Sequence, residues 1–186
     1  DRFDFGSLKP EDISKATDYV LYQADNIKNE IIAIDDNQRS FENTLLRIDD
    51  LHAVIESVWS PGYLMGSVHT DGKIRDEGIA SSKNIQNYIT ELSLNEDLYQ
   101  AVLSYSKSKG SKKLSGYRKK FLNDVMLDYK RSGFSLSSEE RKNVKTVLDK
   151  LTELGLQFDK NIRSSQDTLY LMEDDLTGLS ENYKKE

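Results

Sequence analysis

The sequence predicts an all-α fold of about six helices in a bundle or curved array, with one short strand near 168–172 as the only departure. Three observations predict it. Apolar residues recur at three- and four-residue steps through most of the chain, the period of a single helix face. Two prolines in 186 residues leave few positions barred from helix. Capping residues, finally, punctuate the apolar stripes. The length is enough for a sizeable core, and residues 1–186 read as a single helical domain.

Pro10 followed by Glu11 and Asp12 marks the first helix start. Ile13, Ala16, Val20, Ile27, Ile31 and Ile34 then share one face, and Asp35-Asp36-Asn37 ends the run. Ser40 is suited to cap a second helix with the stripe Phe41, Leu45, Ile48, Leu51, Ile55 and Val58. Ser60-Pro61-Gly62 is expected to break that helix, leaving 63–72 as a loop or short turn. A third helix starts near Asp71 and carries Ile85, Ile89 and Leu92. Asn95 caps a shorter fourth through Leu98, Val102 and Tyr105. After a polar connection at 107–111, Leu114, Tyr117, Phe121 and Val125 mark a fifth, which stops at Arg131-Ser132-Gly133. Ser137 or Ser138 caps the longest helix, with Ser137 and Glu140 placed for a capping box. Its stripe is Val144, Val147, Leu151, Leu154, Phe158 and Ile162, and each such stripe is expected to be buried against a neighbouring helix. No fixed-period repeat is present, which argues against a solenoid.

Composition narrows function by exclusion. The absence of cysteine removes disulfides, thiolate metal sites and cysteine nucleophiles. A net charge of −6 argues against a nucleic-acid partner, and no apolar run approaches membrane-spanning length. The expectation is a soluble protein with the cytoplasm favoured, and neither nucleic acid nor membrane among its partners. Two histidines are available. His52 and Glu56 stand four apart on one helix, a spacing that can hold a metal, yet no third ligand is evident. His69 and Asp71 lie in the irregular region, and no Gly-x-Ser-x-Gly elbow accompanies them. From Lys107 to Lys120, basic residues are interleaved with Tyr105, Tyr117 and Phe121, a pattern suited to a phosphate-rich or acidic partner but also to a solvated helix face. Gly110 and Gly116 fit no Walker pattern. The expectation is no catalytic, cofactor-binding or metal-binding residue in this chain.

Three stretches carry a family resemblance. Ser40-Phe41-Glu42-Asn43-Thr44-Leu45 resembles the Thr-Phe-Glu-Asn-Thr start of the second helix in the M3 family of zinc oligopeptidases, the thimet oligopeptidase, neurolysin and peptidyl-dipeptidase group. Arg131-Ser132-Gly133-Phe134-Ser135-Leu136-Ser137, followed by a helix ending Phe158-Asp159-Lys160-Asn161, is similar to the family's Arg-x-Gly-x-x-Leu-Pro stretch and Phe-x-x-Asn helix end. Asp175-Leu176-Thr177-Gly178-Leu179-Ser180-Glu181 is similar to its Glu-Leu-x-Gly-Leu-Pro-Glu segment. The order matches, and the departures, Ser40 for threonine and Ser137 and Ser180 for proline, fall at caps and turns.

The resemblance implies the N-terminal, non-catalytic part of a larger metallopeptidase. In the family, zinc is held by a His-Glu-x-x-His helix and a downstream glutamate in the C-terminal half, and no residue here matches them. The implied partners are the remainder of the parent peptidase and short peptide substrates, and the implied role is one wall of a channel that excludes folded proteins. The alternative is a free-standing helical interaction module. Exposed apolar surface separates the two: a complete domain hides its stripes, whereas a wall cut from a larger enzyme shows a patch where its other half belongs.

Overall fold

The computed structural model describes residues 7–165, 168 and 170–184, and among these the architecture is all-α. Six long helices are present: α1 (Pro10–Ile32), α2 (Leu46–Val68), α3 (Gly72–Ser93), α4 (Glu96–Lys107), α5 (Gly116–Tyr129) and α6 (Ser138–Ser164). A four-residue α7 (Glu181–Lys184) follows. One π-type turn, Phe41–Leu45, leads into α2, and another, Lys130–Phe134, ends α5.

Local chemistry sets most boundaries. The Ser40 hydroxyl accepts from the Asn43 backbone N–H at 3.1 Å, while the Asn43 side-chain oxygen accepts from the Ser40 N–H at 2.7 Å. This reciprocal pair occupies two donors that a helix start otherwise leaves bare. Asp71 caps α3, Asn95 caps α4, and Ser137 and Glu140 form the expected box on α6. Gly133 stops α5 at φ 101°, a left-handed conformation that glycine adopts without Cβ strain.

The inner stripes of α1, α2 and α3 meet in one core that includes Ile27, Leu45, Leu51, Ile55 and Ile85 and extends to Leu98 and Val102 of α4. Antiparallel α1 and α2 are bridged by Glu30 and Arg47, and α2 and α3 are antiparallel as well. A smaller cluster of Ile13, Met65 and Ile74 closes the far end. Beyond α4, the rings of Tyr99, Tyr129 and Phe134 pack together, with the Tyr99 and Phe134 centroids 4.2 Å apart. The Arg141 guanidinium lies over Phe134, which anchors the start of α6.

The expected break at Ser60-Pro61-Gly62 does not occur, since α2 continues through Pro61 to Val68. Residues 63–68 are therefore helical, and only 69–71 link α2 to α3. Pro61 forfeits one backbone hydrogen bond, a local cost that packing overrides. Gly62 and Gly66 of α2 lie backbone to backbone against Gly78 of α3, and buried Met65 extends the contact. Thr17 rather than Ala16 is fully buried on α1. Its hydroxyl donates to the Ile13 carbonyl at 2.8 Å, so its single proton is committed and Ser81 of α3 must donate to it at 2.6 Å.

Two further expectations fail. Thr168 and Tyr170–Met172 have no regular structure, and Leu169 lies outside the described residues. No strand exists beside them among the described residues, and an unpaired strand has nothing to satisfy its backbone. The apolar stripe of α6 is also largely uncovered. Val147, Leu151, Leu154, Phe158 and Ile162 are each 55–66% exposed, and only Leu156 on this helix is buried. Instead α6 turns Lys145, Leu148, Thr152, Leu156 and Asp159 toward its neighbours, a face about 100° away around the helix. Ion pairs Lys145–Glu91 and Lys160–Asp76 tie it antiparallel along α3.

Candidate functional site

Along one side of α2, polar positions recur every three or four residues as Asp49, His52, Glu56, Ser60 and Tyr63. Three hollows open along it. A cavity of about 360 Å³ between α2, α3 and α5 is walled by Leu51, Leu92, Leu98, Phe121 and Tyr129, with Asp49, His52 and Asp128 at its polar edge. A smaller hollow of about 260 Å³ continues past His52 to Glu56 and Trp59. The largest, about 540 Å³, lies between α2 and α6, where Trp59 and Tyr63 face Leu151, Gly155 and Leu156. Shared residues join the three into a trough with an apolar floor and an acidic rim.

His52 keeps contact with solvent, but the protein packed around it lowers its imidazole pKa, while the Asp49 charge pulls the other way. Burial pushes the Tyr129 phenol up, so it remains neutral and cannot act as a base near neutral pH. The Trp59 indole nitrogen is buried without a hydrogen-bond partner in the structure. Trp59 escaped the sequence reading; a large aromatic one position past the Val58 stripe, among polar neighbours, is the signal that marks it.

His52 and Glu56 line one hollow, whereas His69 and Asp71 lie in the link between α2 and α3. Glu56 accepts a 2.5 Å hydrogen bond from the Ser60 hydroxyl, one turn away from His52. The His69 Nδ1 accepts from the Asp71 backbone N–H at 3.0 Å, and the Asp71 carboxylate is occupied in capping α3. His69 and Asp71 thus organise a helix start. Among the described residues, no three or more His, Cys, Asp or Glu side chains gather in a group that could hold a metal.

The basic stretch is partly paired and partly exposed. Tyr105 and part of Phe121 belong to the core, Arg118 pairs with Glu42 at 2.7 Å and lies over Phe41, and Lys120 pairs with Asp124. Lys109, Lys112, Lys113 and Lys119 are exposed, as a solvated face requires. Among the described residues, no helix is long and apolar enough to cross a membrane.

No protein-family model matches the chain. Individual proteins do. It is 26% identical over 172 residues to a thimet-like oligopeptidase of Dictyostelium discoideum, covering 91% of this chain and 26% of that protein. It is 24% identical over 181 residues to oligopeptidase A of Haemophilus influenzae, covering 96% of this chain and 26% of that protein. Saccharolysin of Saccharomyces cerevisiae is 22% identical over 180 residues, covering 95% of this chain and 25% of that protein. The chain thus spans about a quarter of the length of the curated relatives it matches. With its helical fold and the ordered motifs at Ser40, Arg131 and Asp175, the chain is an M3 oligopeptidase-like region.

Proposed function

We propose that this chain is the non-catalytic N-terminal part of a zinc-dependent oligopeptidase, and that it forms one wall of the channel through which short peptides reach the metal. The observation that carries the reading is the similarity along more than nine-tenths of the chain to oligopeptidases some four times its length. Zinc belongs to the remainder of the polypeptide, where it would polarise the peptide carbonyl and lower the pKa of its water. This chain contributes shape. A narrow helical wall admits an extended peptide and turns away a folded domain, because a folded substrate cannot enter without unfolding. The exposed stripe of α6 favours this reading over a free-standing interaction module, since a complete domain would cover five large apolar side chains on one helix.

Two measurements test the proposal. The purified 186-residue chain is expected to bind no stoichiometric zinc and to leave a fluorogenic peptide intact. The complete polypeptide that contains it is expected to bind zinc and to cleave short peptides while sparing the same sequence inside a folded protein. Zinc-dependent turnover by the 186-residue chain alone, or equal cleavage of short and folded substrates by the complete polypeptide, refutes the proposal.

A further inference from the structure

We propose that the outer seam of α6 is the docking site for a helix from the part of the longer polypeptide that lies outside these 186 residues. The inference rests on the oligopeptidase reading and adds the place and shape of the contact. Three observations converge on one stretch of α6.

The first is the seam itself. Val144, Val147, Leu151, Leu154 and Phe158 follow a three–four alternation, and the last four of these are more than half exposed. Such spacing presents knobs in a nearly straight line, and the surface that interlocks with them is another helix lying roughly along the first. An extended segment, with side chains alternating at a period of two, does not match it.

The second is Gly155. Glycine inside a helix costs about 1 kcal/mol relative to alanine. Elsewhere in the chain the small size of helical glycines is used, as where Gly78 lies against the backbone of Gly62 and Gly66. A Cβ on Gly155 would meet nothing within 4 Å, so nothing described here requires glycine at that position. It stands one residue from Leu154, where a helix seated on the seam would come closest. A small residue at that point lets two backbones approach.

The third is the groove. Gly155 and Leu151 form one side of the hollow of about 540 Å³ whose other side is Trp59 and Tyr63 of α2. A helix on the seam therefore has a second wall to rest against. The occupant is assigned to the same polypeptide because the relatives are about four times as long as this chain. A covalently linked helix is present at a high effective concentration, which a separate partner is not.

The decisive experiment places a photo-crosslinking amino acid at Leu154 in the complete polypeptide and maps the product by mass spectrometry. An intramolecular cross-link to an apolar helix outside residues 1–186 is expected. Two variants give a second readout. Leu154→Glu should leave the melting of the 186-residue chain unchanged but speed amide exchange along 147–162 of the complete polypeptide about tenfold or more, the worth of one buried leucine. Gly155→Ala should stabilise the short chain yet also speed that exchange in the complete polypeptide. A cross-link between two copies, or exchange in the complete polypeptide that neither variant alters, overturns the proposal. So does unfolding of the short chain by Leu154→Glu. Zinc content and peptide cleavage of the unsubstituted complete polypeptide report on the oligopeptidase reading separately. An active zinc enzyme lacking the cross-link defeats the docking site alone, and an inactive polypeptide with the cross-link defeats the enzyme assignment alone.

Discussion

Replacing Gly78 with alanine probes the most crowded of the described glycines. A Cβ there would meet the Gly62 carbonyl oxygen and the Gly66 nitrogen at 2.6 Å, and the Gly66 Cα at 2.8 Å. Comfortable carbon contacts begin at about 3.5–4.0 Å, so α2 and α3 must part by roughly 1 Å. Every obstacle is backbone, and no rotamer change relieves it. Parting the helices loosens Met65 and Ile74, which pack together beside the crossing. Overpacking of this kind costs up to about 3 kcal/mol, and the better helix propensity of alanine returns about 1 kcal/mol. The net loss is about 2 kcal/mol, or roughly 4–8 °C in melting temperature for a chain of this size. Gly155→Ala is the matched control. With open space around its Cβ, it should gain about 1 kcal/mol and melt roughly 2–4 °C higher. Thermal unfolding by circular dichroism, supported by urea titration, reads both variants. A Gly78→Ala protein as stable as the parent would refute the backbone-contact argument. So would Gly62→Ala proving the worse of the two, because its Cβ would meet only the Ser81 side chain, at 3.3 Å and beyond.

Thr17→Val should destabilise the chain by about 1–3 kcal/mol in urea titration, because the buried Ser81 hydroxyl loses its acceptor; a change under about 0.5 kcal/mol would contradict the assigned direction of that bond. Gly133→Ala forces a β-carbon into the left-handed region and against Leu136, and should cost about 1–2 kcal/mol by the same assay. Ser137→Ala removes the cap of α6 and should cost about 1 kcal/mol, seen first as faster amide exchange in the initial turn of that helix. His52 has a folded-state pKa below its ordinary value of 6.5, so protonation favours the unfolded chain. Its contribution is therefore fully present above about pH 6.5 and lost as pH falls below that value toward the folded pKa. NMR titration should place the His52 midpoint below 6.5, and His52→Gln should lose less stability than the parent between neutral and mildly acidic pH. A midpoint at or above 6.5 contradicts the desolvation argument.

The parts of the fold that were legible in the sequence are those decided within one turn of helix. Ser40, Asp71, Asn95 and Ser137 cap their helices by reaching a backbone N–H two or three residues away, and such reach is a matter of local spacing. Pro61 misled because the forces that carry α2 through it come from Gly78, which only the tertiary fold brings near. Thr17 carries no apolar signal, and its place on the inner face becomes evident only where Ser81 supplies a donor. The stripe of α6 is legible as a stripe but not as an uncovered one, because spacing shows which residues share a face and not what lies opposite. The trough along α2 was legible only in fragments. Helical spacing pairs His52 with Glu56, whereas the groove beside them needs residues 151–156 to come alongside residues 59–63.

The weak attachment of α6 bears on the order in which the molecule assembles. The helices α1 to α3 close on one another within the first 93 residues, so a growing chain can bury that core soon after it leaves the ribosome. The later helix has one buried leucine, the Arg141–Phe134 contact, a hydrogen bond from Arg163 to Ser67 and a set of ion pairs holding it, and pairs of that sort contribute little in salt solution. Of the six long helices, it would be the first to detach under stress. Left bare, its apolar side is a surface through which copies of the chain can stick together.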